Sequence, residues 1–273
     1  MLRERGNTSI RPPAVAGLFY PDDARELRDM VSEYLRQVPT NSAGASPKAL
    51  IVPHAGYIYS GGIAAAAYAS VAARRNAIRR VVLIGPSHRV YLRGMAVPAA
   101  STFATPLGRV EIDRELKSLL LQRGDVVEAD APHAQEHSLE VQLPFLQLLF
   151  DEFTLLPLVL GTIAPEHVAA ALAQAWGDAA TLVLVSSDLS HYHAYEQARQ
   201  IDAATSAAIL RGAATLAGEQ ACGAVGINGL LHLAGQRRLP ISEIARCNSG
   251  DTAGDRSRVV GYGAFAVHEP GNA

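Results

Sequence analysis

The chain is poor in several things that would otherwise fix its class. Among 273 residues there are two cysteines, three methionines and one tryptophan. Cys222 and Cys247 form no Cys-x-x-Cys or zinc-finger pattern, which excludes a disulfide-rich scaffold and a thiolate-only zinc module. Reduced thiols in a cytoplasmic protein are the expectation, with Cys222, beside an apolar stretch, packed as a small hydrophobe. No apolar run approaches the ~20 residues of a spanning helix, and the start Met1–Gly6 lacks the apolar segment of a signal peptide. Neither charge sign dominates: 24 Lys plus Arg face 26 Asp plus Glu, a formal net charge of −2, so a nucleic-acid partner or an anionic membrane has no global electrostatic support. Repeats, low-complexity tracts and long linkers are missing too. The 49% hydrophobic residues supply material for a core, and one domain across 1–273 is the expectation; the order of strands and helices along the chain makes it α/β, a central mixed, mostly parallel sheet flanked by helices.

What is present is a pattern repeated three times. Ala49–Val52 runs into Pro53-His54, Val81–Ile84 into Gly85-Pro86-Ser87-His88, and Thr181–Val185 into Ser186-Ser187-Asp188-Leu189-Ser190-His191. Each run is apolar, too short for a helix, and followed by a histidine, so each reads as a buried strand delivering an imidazole at its C-terminal end. Ligands of open α/β sheets bind beyond the carboxyl ends of strands, which places His54, His88, Asp188 and His191 on one edge.

Around these strands, Asp22 or Asp23 caps a helix carrying Leu27, Met30, Val31, Tyr34 and Leu35, and residues 39–47 form a loop. An Ala-rich helix runs to about Arg75, and Asp113 caps another through Leu121. Short strands or loops are expected over 94–100 and 105–112, and a helix over Val141–Phe150 with Ser138 as a candidate cap. A strand at Thr154–Leu160, helices from Pro165, over Tyr195–Leu210 and over Gly223–Ala234, and a closing strand Arg258–Val267 complete the reading. The polar stretch Arg246–Ser257 reads as a loop before that strand.

Two imidazoles with a further donor suit Fe, Cu or Zn, which makes His54 and His88 metal-ligand candidates. Asp251, Asp255 or Cys247 from the polar stretch completes the set: a carboxylate favours Fe(II), a thiolate softer metals and redox chemistry. His191, three residues after Asp188, is placed for proton transfer. Glu136-His137 followed by Glu140 lacks the His-Glu-x-x-His of zinc proteases, leaving a helix start or a substrate-facing role. His133, His167, His232 and His268 have no organised company and read as surface residues.

Pro53-His54-Ala55-Gly56-Tyr57, Gly85-Pro86-Ser87-His88, the run Glu136-His137-Ser138-Leu139-Glu140-Val141-Gln142-Leu143-Pro144-Phe145, and Ser186 to His191 occur in order. In this, the chain resembles the Memo family, from Ala16-Gly17-Leu18-Phe19-Tyr20 to the closing strand. Prokaryotic proteins of this kind resemble component B of the AmmeMemoRadiSam system, and the fold is similar to that of class III extradiol dioxygenases, where two histidines and a glutamate hold Fe(II). The resemblance implies His54 and His88 as metal ligands and His191 as acid/base with Asp188 beside it. It leaves the third ligand to Asp251 or Cys247: animal members carry a cysteine in the loop before the last strand, and counting back from that strand puts Thr252 there. Phe19, Tyr57, His137 and Cys247 are the candidates for substrate contact. A transition metal, Fe(II) foremost with Cu or Zn as alternatives, and a small-molecule or peptide ligand are implied, with AMMECR-type and radical-SAM proteins as candidate partners. Three functions compete: dioxygenase-like redox chemistry, a non-catalytic ligand-binding module such as the phosphopeptide-binding animal relatives suggest, and metal-dependent hydrolysis.

Overall fold

A computed structural model describes residues 9–39 and 46–269; the start Met1–Gly6 and most of the expected loop over 39–47 lie outside them. One mixed sheet of twelve strands runs through the described residues. At its centre four strands lie parallel in the order Thr154–Leu160, Arg80–Pro86, Thr181–Ser186, Ala49–Val52. Val259–Val267 pairs antiparallel with Ala49–Val52, and carries His191–His193 and Ile241–Asn248 as antiparallel neighbours. Register aligns the three histidine strands: Val52 lies opposite Ser186, and Ile84 opposite Val185. All three carboxyl ends therefore open on the same edge.

Side chains of these strands alternate between two cores, as the pleat requires. Val82, Ile84, Val183 and Val185 pack on one face beneath Pro165–Ala175 and Ala224–Arg237. Val81, Leu83, Leu182 and Leu184 pack on the other, beneath Ala24–Gln37, Tyr57–Ala69 and Leu143–Leu149. The two apolar faces explain why the central strands read as unbroken hydrophobic runs.

Asp23 and Asp113 cap their helices through side-chain bonds to backbone N–H groups, and the helix Tyr195–Leu210 has the expected bounds. Ser138 caps nothing. The helix over 143–149 starts later than expected, after a 3-10 turn at Glu140–Gln142, with Pro144 in its first turn. The strands Ile241–Asn248, Val126–Glu128 and Ile10–Arg11 carry no clear alternation of apolar and polar residues and were not legible.

Glu140 is fully buried and holds the N-terminal segment against this core. Its carboxylate pairs with Arg11 Nη1, and accepts from the Ala14 N–H at 2.7 Å, the Val15 N–H at 3.0 Å and the Tyr20 hydroxyl at 2.5 Å. The segment thus fixed places the Phe19 carbonyl where the Tyr57 N–H donates to it at 2.8 Å. Glu140 is a structural anchor. Replacing it by Gln leaves the Arg11 charge without its counter-ion in a buried setting, so Glu140→Gln should cost about 3–5 kcal/mol in urea unfolding; a loss below ~1 kcal/mol would show that the network does not carry this segment.

Candidate metal centre and its cleft

The strand carrying His54 ends at Val52, but its pairing continues: the Ser187 N–H donates to the Val52 carbonyl at 2.9 Å. One residue on, the His54 N–H donates to Asp188 Oδ1 at 2.7 Å. Asp188 thus ties two strand ends together. His88, beyond Pro86, is held by Glu136 through both its backbone N–H, at 2.7 Å, and its ring Nδ1, at 2.8 Å.

A third donor comes from the turn that opens the helix Ala224–Arg237. Gly223 lies so close to the third strand that a Cβ there would meet Ser187 Cβ at 2.6 Å and the Ser186 carbonyl oxygen at 2.7 Å. Its N–H donates to Ser187 Oγ at 2.9 Å. That approach brings Cys222 Sγ to 3.2 Å from His54 Nε2. One donor atom each of His54, His88 and Cys222 lies within 4.8 Å of the others, a cluster able to hold a metal ion. The His54 and His88 rings are 5.2 Å apart, and His137 closes the group, 4.7 Å from His88 and 5.3 Å from His54 between centroids. His137 Nδ1 is buried without a hydrogen-bond partner, 3.4 Å from Glu136 Oε1.

The electrostatics suit a cation. Burial drives His54 well below its ordinary pKa, and the neighbouring imidazoles add to the shift, so the ring is neutral, as a ligand must be. Burial also lowers His137, to about 4. Burial alone would raise Glu136, but its hydrogen bonds with His88 and the Ser138 N–H prevail and hold it at about 2, an anion beside His88. The Cys222 thiol is pushed up to about 12 by burial and by Asp188; coordination would reverse this by displacing the proton. Asp188 itself is raised to about 7 by burial.

The cluster floors a cleft of about 1070 Å³. Phe19, His137, Asp188 and His191 line it, together with Arg89, Tyr192, His193 and Arg258. Phe19 packs on His137 at 4.7 Å. Tyr192 has a left-handed backbone, φ 64°, costing of the order of 1–3 kcal/mol for a side chain of this size, and His191 and His193 on either side of it both line the cleft.

Several expected sites lie elsewhere. Asp251 closes a capping box with Asn248 and accepts from the Tyr195 hydroxyl, so its oxygens are committed away from the cluster. Cys247 is not on a loop: it sits in Ile241–Asn248 opposite Tyr262, and lines a separate pocket with Asp251 and Tyr195. Tyr57 faces the core, its hydroxyl donating to the Val141 carbonyl at 2.7 Å and its ring against Tyr20 and Phe145. Asp188 instead accepts from the His54 N–H, and burial lowers His191 rather than favouring its charged form. Cys222, expected in the core, stands at the cluster, and Thr252 does not. The sequence signal for it was slight: a cysteine followed by a glycine at a helix start.

The residues 11–266 match the profile of the family described as Memo-like protein. The chain belongs to the Memo-like family. A MEMO1 family protein of Ignicoccus hospitalis is 39% identical, covering 96% of this chain and 99% of its own length, and one of Aquifex aeolicus is 36% identical, covering 93% and 97%. Among solved structures, the uncharacterized protein JW3007 of Escherichia coli K12 superposes with a TM-score of 0.51 at 13% identity, covering 80% of this chain and 98% of that one, a likeness of fold. As in this Memo-like chain's sequence, no helix among the described residues is long and apolar enough to cross a membrane.

His133, read as a surface residue, is buried, with its Nε2 at 2.9 Å from the Ala96 carbonyl. Burial lowers it to about 4. A depressed histidine contributes its full stability above the unfolded value near 6.5 and loses it as pH falls through about 4. The stability of metal-free protein should therefore fall with pH across that window more steeply than that of His133→Gln, the two differing by up to about 1.4 kcal/mol per pH unit. Parallel curves of urea midpoint against pH would contradict the assignment.

Proposed function

We propose that this chain holds one redox-active transition-metal ion on His54 Nε2, His88 Nε2 and Cys222 Sγ, and uses it to transform a small organic substrate in the cleft. The observation that carries the reading is the convergence of two imidazoles and a thiol, from three separate elements, at the sheet edge. His88 with Glu136 behind it is the carboxylate–histidine arrangement that fixes a ligand ring, with Nδ1–H on the carboxylate and Nε2 free. The orphaned His137 Nδ1 beside the cluster is the kind of buried polar atom that a bound ion or its ligand would satisfy.

A thiol in place of a carboxylate moves the donor set toward thiophilic ions, so copper stands beside iron, with zinc as the redox-silent outcome. When bound, the ion supplies Lewis acidity and, if iron or copper, an electron-transfer couple. The residues supply the rest. His191, neutral at physiological pH and facing the cleft, accepts a proton from the bound substrate, and Phe19 with Tyr192 provides apolar walls that displace water. Arg89 and Arg258 give the cleft cationic groups for an acidic substituent.

Metal analysis of protein purified without oxygen tests this. The parent should carry about one equivalent of iron or copper, and both Cys222→Ala and the His54→Ala, His88→Ala double variant should lose it. His191→Ala should keep the metal while lowering turnover, once a substrate is found, by roughly 10²-fold or more. Retention of the full metal content by the double variant, or no binding of iron, copper or zinc by the parent, would overturn the proposal; zinc alone would turn it toward hydrolysis.

A further inference from the structure

Buried beneath the cluster, Tyr68, Gln142, Ser186 and His54 form a continuous chain of hydrogen bonds in which every proton has one permitted place. Tyr68 is fully buried and its ionisation is strongly opposed by burial, so its hydroxyl is a donor; it reaches Gln142 Oε1 at 2.7 Å. That fixes the amide. The same orientation is demanded from the other end, because Gln142 Nε2 lies 2.9 Å from the carbonyl of Pro53, a group that only accepts.

The amide nitrogen also donates to Ser186 Oγ at 2.9 Å. Ser186 has one proton to give, and it goes to the Ser138 carbonyl at 2.6 Å, again an acceptor only. What remains on Ser186 Oγ is a lone pair, facing His54 Nδ1 at 2.9 Å. His54 Nδ1 must then be the donor, which leaves Nε2 without a proton on the side of Cys222.

We infer that Tyr68, Gln142 and Ser186 are positioning residues for the metal centre: their relay holds His54 in the Nδ1–H tautomer and aims its Nε2 lone pair at the metal position. His88 is fixed in the same sense by the Glu136 carboxylate. The two ligands are thus oriented by different means, one by an anion and one by a neutral relay anchored on two backbone carbonyls. A neutral relay adds no counter-charge behind His54, whose ring is buried among other imidazoles. The inference rests on the metal centre proposed above for its purpose, but the tautomer belongs to the metal-free protein.

The test is nitrogen-15 imidazole spectroscopy of metal-free protein, joined to zinc affinity measured by chelator competition. In the parent, His54 should show a single tautomer protonated at Nδ1 between pH 6 and 8; a proton on Nε2 would overturn the relay without need of any variant. Ser186→Ala should mix the tautomers and weaken zinc binding by about 10- to 100-fold, and Ser186→Thr, which keeps the hydroxyl, should restore both. If Ser186→Ala leaves tautomer and affinity at parental values, Ser186 does not position His54. A parent that binds no zinc, iron or copper would remove the metal centre while the tautomer result still stood.

Discussion

A polar side chain buried away from water must find its partners within the protein or cost about 1–3 kcal/mol, more if charged. The segment Glu136–Gln142 meets that constraint four times in seven residues. Glu136, Ser138, Glu140 and Gln142 are all buried, and each is satisfied by a different part of the molecule. Glu136 takes the His88 backbone and ring, and Glu140 takes Arg11, Tyr20 and the backbone of the N-terminal segment. Ser138 Oγ donates to the Pro86 carbonyl while its own carbonyl accepts from Ser186, and Gln142 bridges Pro53 and Ser186. The ends of all three histidine strands and the segment bearing Phe19 are thereby referred to one stretch of chain. A polar wedge of this kind is costly to leave half-satisfied, and for that reason it is also a rigid support for a site.

The sheet and the wedge divide the work. Parallel pairing brings His54, His88 and Asp188 to a common edge, since Ile51 and Ile84 both lie opposite Val185 of the strand between them. It does not set which nitrogen of each ring faces outward. That falls to Glu136 for one histidine and to Ser186 for the other. Cys222 arrives by a third route, a glycine-enabled contact between a helix start and Ser186-Ser187, so the donors rest on packing as well as on pairing.

Much of this was legible in the sequence where local chemistry dictated structure. Three apolar runs ending in histidine could only be strands opening on one edge, and Asp23 and Asp113 announced their helices. The alternation Glu-x-Ser-x-Glu-x-Gln was harder, because with Pro144 after it the stretch looks like a helix start; burial of these four polar residues appears only when the partners, 44 to 129 positions away, are in place. The third donor was misplaced for a related reason. Arg246–Ser257 has the composition of a loop, yet Cys247 is drawn into a strand and Asp251 into a capping box, while Cys222 is carried to the cluster by a tertiary contact that leaves one glycine as its trace. His133 shows the converse, a residue without sequence company that burial and one carbonyl make structural.

The centre's defining feature is the thiol beside two imidazoles, and X-ray absorption at the edge of the bound metal reads it directly. Protein loaded with one equivalent of copper or iron should show a single sulfur and two imidazole nitrogens in the inner coordination sphere, with the sulfur absent in Cys222→Ser. A coordination sphere of nitrogen and oxygen alone in the parent protein would contradict it.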